Sequence, residues 1–192
     1  MDRTYLISTS FLKSHTIVNN NVSDELLNNA IFEAQVIHIQ QTIGTKLYNK
    51  IVGLVRSGDI QNPTYADYKK LLDEYIMECT AYWAVYECLP YVRYKVVNKG
   101  VTTQDSEWSN GVDSQELNRL QEAIADKAQF FTRRLSDFIL QNRTLYPEYI
   151  MNTQIDEMHP DGGEYFSGFQ FDSYCCPCDR TMGYNRNTID LI

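Results

Sequence analysis

The sequence is poor in the residues that most catalytic and metal sites draw on. Only three histidines occur in 192 residues, His15, His38 and His159, and none stands at a spacing that pairs it with a nucleophile or a second metal ligand. There is no glycine-rich phosphate loop, no His-Glu-x-x-His and no Glu-x-x-His pair, the arrangements that deliver a base or ligands from one loop or helix face. Adjacent carboxylates such as Asp73 and Glu74 leave a helix on different sides. No catalytic residue, cofactor-binding residue or metal ligand is therefore assigned, and no enzymatic activity is expected.

Positive charge is short as well. Seventeen Lys and Arg stand against 25 Asp and Glu, a net charge of −8, and no run of five basic residues occurs. Surfaces that grip phosphates cluster Lys and Arg, so nucleic-acid binding as the main function is not expected. No apolar run approaches the roughly 18 residues of a membrane span. The N-terminal "MDRTYLISTS", with an acid at position 2, lacks the apolar core of a secretory signal. The reading is a soluble intracellular protein with no membrane partner, whose cysteines stay mostly reduced.

What the sequence does have is a hydrophobic pattern. With 43% hydrophobic residues in 192, one sizeable core and one domain are expected. Residues 1–22 mix "TYLIST" with "SHTIVNNN" and read as an extended arm leading into a turn. Residues 23–145 read as a helical domain. Ser23 caps a first helix whose first turn carries Asp24 and Glu25, the charges a helix dipole favours there. Leu27, Ala30, Ile31, Ala34, Ile37 and Gln41 share a face until Gly44, and His38 on this helix reads as a satisfied, half-buried histidine. A shorter helix with Leu47, Ile51, Leu54 and Val55 ends at Gly58.

The third helix opens either on a Thr64/Asp67 capping box or with Pro63 in its first turn. Tyr68, Leu71, Leu72, Tyr75, Ile76, Cys79, Trp83 and Tyr86 form its apolar face, and Pro90 is expected to kink or break it. "YVRYKVVNKG" continues it by a turn or two, and "VTTQDSEWSNG" reads as a loop. The last long helix starts at Asp113, repeats Leu117, Leu120, Ile124, Phe131, Leu135 and Phe138, and ends near Asn142. The fold class expected is all-α: a four-helix core bundle, with Trp83 buried against the last helix near Phe131.

From residue 146 the character changes to an irregular aromatic tail. Residues 159–188 contain no Leu, Ile or Val but hold six aromatic residues, and residues 152–192 carry seven acids against two bases. Such a segment cannot close a core of its own, and its rings point to order gained on another surface. Within it, "YCCPCDR" at 174–180 gathers three of the five cysteines. A structural zinc site draws on two separated ligand pairs. Cys175, Cys176 and Cys178 form one knot, with His159 the nearest fourth ligand. Zinc, a redox role and a plain tight turn all remain open for this knot, the turn being the reading favoured. Cys79 and Cys88 read as small apolar core residues.

The stretch "NVSDELLNNAIFEAQVIHIQQTIGTKLYNKIVGLV", followed by "YADYKKLLDEYIMECTAYWAVYECLPYVRYKVVNKGV" and "LSDFILQNRTLYPEY", resembles the head-to-tail connector, or adaptor, proteins of tailed phages, and is most similar to the ring proteins of crAss-like phages. The signals are an acid-capped helix with Ala30, Ile31, Ala34, Gln35 and Ile39, the "IGTKLY" turn, a long tyrosine-rich helix ending in "NKGV", and a last helix ending in "NRTLYPEY". The resemblance covers roughly residues 4 to 150 and rests on packing patterns.

It implies a structural protein of the virion portal vertex or neck, present in the host cytoplasm during assembly. It implies a homo-oligomeric ring, a dodecamer in the portal's symmetry, stacked between the portal protein and further ring or tail proteins. Packaged DNA would pass through without sequence-specific binding, past an acidic surface. A closed ring needs two different patches per chain, for which Tyr5 and Phe11 of the arm and Phe166, Phe169, Phe171 and Tyr174 of the tail are the candidates. The alternative is a helical regulatory module that binds a partner protein through the same tail.

Overall fold

Asp24 and Glu25 open helix α2 (Asp24–Ala34), directly after Ser23 in extended conformation. In the computed structural model, which describes residues 3–97, 100–103, 114–150 and 158–160, this helix does not stay α-helical to its end. Gln35–Ile39 form a π turn before α3 (Gln40–Ile43). A π turn holds one residue more than the α-helical path, so the inward-facing positions beyond it shift by one residue in the sequence. Leu27, Ala30, Ile31 and Ala34 are buried as the spacing predicts, but past the turn Ile39, Thr42 and Ile43 point inward. Ile37 and Gln41, expected on the buried face, are exposed.

Gly44 ends this run with φ 79° and ψ 155°, a conformation open essentially to glycine. Helix α4 (Thr45–Ser57) follows, buries Leu47, Tyr48, Ile51 and Leu54, and stops at Gly58 in the left-handed region, φ 81°, as its glycine predicts. The next helix opens with Pro63 in its first turn, the second of the two expected starts, and not on a Thr64 box. Asn62 is the cap, its side chain accepting from the Thr64 amide, with Pro63 in the first turn. It runs through α5 (Ala66–Leu71), a second π turn at Leu72–Ile76, and α6 (Met77–Arg93).

Two departures follow in this region. Pro90 does not break the helix: it lies inside α6, which continues to Arg93. The chain then leaves helical geometry earlier than expected, because β1 (Tyr94–Val97) and β2 (Gly100–Thr103) pair antiparallel in the register Tyr94 to Thr103 and Val97 to Gly100. Val96, Val97, Val101 and Thr102 are β-branched, which favours strand over helix once Arg93 is passed. The first three residues of the segment read as a loop, 101–103, thus belong to a strand. Helix α7 (Ser114–Gln141) and the short α8 (Pro147–Ile150) complete the described elements. Among the described residues the fold is all-α apart from this hairpin.

The N-terminal segment is the main correction. It is not an extended arm: Ser8 caps a helix, α1 (Thr9–His15), through a bond from the Phe11 amide to its hydroxyl. Leu6, Ile7 and Leu12 are buried. Too short for a clear period, the segment is folded by tertiary burial and not by its own helical tendency.

Helix α6 is packed against α2 on one side and α7 on the other. The core accordingly has two parts. One gathers Ile39, Ile43, Leu47, Ile51, Leu71, Ile76, Leu135 and Ile139 with Tyr146. The other holds Ile7, Leu12, Leu27, Ile31, Ala81 and Ala84. Met77 and Trp83 touch both.

Candidate functional site

The polar side chains drawn inward by the π turn of residues 35–39 form two networks. Gln35 is only 1% exposed. Its Nε2 donates to the Thr4 carbonyl at 2.8 Å and to the Tyr48 hydroxyl at 3.2 Å, and its Oε1 accepts from the Leu6 amide at 3.1 Å. One side chain thereby satisfies backbone groups on both sides of Tyr5, as burial requires.

One turn on, the His38 ring stacks on the Trp83 indole, centroids 3.6 Å apart at 7°. Its Nε2 lies 2.8 Å from Glu87 Oε1. A carboxylate only accepts, so Nε2 carries the proton. Burial lowers the pKa of His38, and the hydrogen bond and charge of Glu87 oppose the shift without cancelling it. On the far edge Trp83 Nε1 donates to Thr132 Oγ1 at 2.9 Å, and that hydroxyl donates to the Ala128 carbonyl. The Cys79 thiol, 3.4 Å away, then donates to a remaining Thr132 lone pair. The chain of contacts ties α2, α6 and α7 together. As expected, His38 is half-buried and satisfied, and Trp83 meets the last helix, although through Thr132, while Phe131 stacks on Tyr82.

Cys79 and Cys88 are buried free thiols, as predicted, and burial pushes their pKa values up to about 12 and about 11. A thiol held in its protonated form is a poor nucleophile and a poor metal ligand. Among the described residues no group of three or more His, Cys, Asp or Glu could hold a metal. His159 is exposed; Cys175, Cys176 and Cys178 lie outside the described residues. No helix among the described residues is long and apolar enough to cross a membrane.

Of the predicted interface residues, Tyr5 and Phe11 are half-buried against the chain's own second core cluster, and Phe11 stacks on His15 at 3.9 Å. Phe166, Phe169, Phe171 and Tyr174 lie outside the described residues. Earlier in the chain Met158 is tied to Thr45: the Thr45 amide donates to the Met158 carbonyl at 3.1 Å, and the Met158 amide donates to Thr45 Oγ1 at 3.0 Å.

A surface feature that the periodicity did not single out lies along α7. Tyr75, Phe130, Arg133, Arg134, Asp137 and Phe138 line an open groove. Tyr75 and Phe138 form its floor as a stacked pair, centroids 4.0 Å apart, and the Arg134 guanidinium sits 4.7 Å over Tyr75. Phe130 is 64% exposed. The signal was present in "FFTRR": consecutive phenylalanines on a helix are about 100° apart, so if Phe131 packs inward Phe130 cannot.

No curated protein and no solved structure matches the chain. One family profile does, over residues 39–157, from the π turn before α3 to beyond α8. Since that match covers more than half of the 192 residues, the chain belongs to a family of unknown function, DUF6712.

Proposed function

We propose that this chain is a ring-forming structural protein of a phage portal vertex, joining the portal to the tail and extending the DNA channel. The carrying observation is the packing pattern that the sequence shares with head-to-tail connector proteins. Its residues Ala30, Ile31, Ala34, Gln35 and Ile39 are all buried, together with Leu27, Thr42 and Ile43 of the same run, and "IGTKLY" is the turn where Gly44 takes its glycine-only conformation. On this reading the runs α2–α3, α4, α5–α6 and α7 act as a four-helix core, and copies of it close into a dodecamer by a head-to-tail interface. The formal charge of −8 suits a channel wall from which DNA phosphates are repelled. The half-buried Trp83 and His38 and the buried Cys79 and Cys88 all serve as packing and ties between helices, which suits a structural role.

The test is negative-stain microscopy of the purified protein mixed with the portal protein from the same genome. A second ring stacked on the portal is expected. A bare portal at high protein excess overturns the reading and favours a helical module that binds a different partner.

A further inference from the structure

We infer that the α7 groove is the receiving half of the ring interface, and that it takes the acidic, aromatic segment 164–174 of the neighbouring copy. This rests on the ring reading above. The groove offers the edges of the Tyr75–Phe138 stack, whose outer faces carry Arg134 and Lys70, an exposed ring at Phe130, and two guanidinium groups, Arg133 and Arg134, against one carboxylate, Asp137. Two arginines against one aspartate beside the exposed Phe130 give this face a positive local balance on a chain of net charge −8.

The chain's own sequence contains the complement. Residues 161–174, "DGGEYFSGFQFDSY", hold three acids, no base and five aromatic rings. Rings supply contact area at low rotamer cost and meet other rings edge to face, and carboxylates pair with arginine in a fixed fork geometry. Opposite charge also fixes which surfaces meet and speeds their encounter. The segment starts from a defined place, because Met158 is pinned to Thr45. A head-to-tail ring needs two unlike patches on each chain; the groove is one and this segment is the other. Tyr165, Phe166, Phe169 and Phe171 are the rings assigned to the groove, with Glu164 and Asp172 facing the two arginines.

The experiment places a photo-crosslinking phenylalanine analogue at Phe130 of the full chain. The site is exposed, so the fold tolerates the change. Rings are assembled on the portal from equal amounts of unlabelled and ¹⁵N-labelled copies, and crosslinked peptides are read by mass spectrometry. Crosslinks from residue 130 to residues 161–174 in mixed-isotope pairs are expected. Arg133→Glu with Arg134→Glu should reduce their yield several-fold, and adding Glu164→Arg with Asp172→Arg should restore it. Crosslinks to that segment only within one copy, crosslinks to the portal or to other segments, or none in rings visible by microscopy, each overturn the docking while leaving the ring reading standing. Absence of rings altogether overturns both.

Discussion

The imidazole of His38 lies flat on the indole of Trp83, at 3.6 Å and 7°, and through that stack the first helical run is coupled to both α6 and α7. The indole fills space between the two parts of the core and holds Thr132 by its Nε1. Trp83→Ala is expected to destabilise the fold by about 3 kcal/mol, the low end for a tryptophan because the ring is only half-buried. Trp83→Phe keeps most of the stack and loses one hydrogen bond, about 1 kcal/mol. Urea unfolding of the three proteins checks the order.

The same stack carries a pH dependence. Burial holds His38 below the ordinary histidine value, so the unfolded chain binds its proton more readily than the folded one. The resulting stability is present above about pH 6.5 and is lost as the pH falls below it towards the folded-state value. In ¹H–¹⁵N spectra of the imidazole side chains, His38 should remain mostly neutral at about pH 6.5, the ordinary histidine midpoint. A His38 midpoint above about 6.5 would show Glu87 outweighing burial.

Gln35 sets the fate of the N-terminal segment. Replacing it with leucine would strand the buried Leu6 amide and leave the Thr4 carbonyl without its donor, a loss of about 2 kcal/mol or more. The effect should be local at first: amides of residues 4–16 in Gln35→Leu exchange faster than in the parent, while those of α4 and α7 keep their protection. Deletion of residues 1–22 removes buried Leu6, Ile7 and Leu12 and should lower the melting temperature by at least several degrees.

Ser136 offers a change of opposite sign. It is 2% exposed, and its hydroxyl oxygen has no hydrogen-bond partner among the described residues. Ser136→Ala removes an unsatisfied polar group and improves helix propensity inside α7, so stability should rise by about 1 kcal/mol. Thermal melts of this single variant decide it; a destabilised Ser136→Ala would mean that the hydroxyl does find a partner in solution.

How far the sequence could be read depended on where the helices stay regular. In α4 an unbroken α-helical period makes Leu47, Ile51 and Leu54 legible, and Gly58 marks its end through a left-handed φ that other residues resist. In α7 Ile124, Leu135 and the end at Asn142 were legible for the same reason. The π turns were not. Nothing in "QVIHI" announces an extra residue, because the turn is held by what Gln35 and His38 reach across the fold. Residues 94–103 failed differently: helix and strand tendencies are close there, and pairing between Tyr94 and Thr103 decides. The groove on α7 was half legible, since "FFTRR" forces one ring outward, but its floor needs Tyr75 from another helix.

The π turn at Gln35–Ile39 also bears on how this chain can vary in length. A π turn is an α-helix that has absorbed one inserted residue while its flanks keep their phase. Removing the exposed Ile37 would return the run to plain α-helix, with Ile31 and Ala34 before it and Ile43 after it still facing the same neighbours. A one-residue deletion, ordinarily ruinous inside a buried helix because everything beyond it rotates, is absorbed at this point. Relatives of this chain that are one residue shorter should carry the gap here.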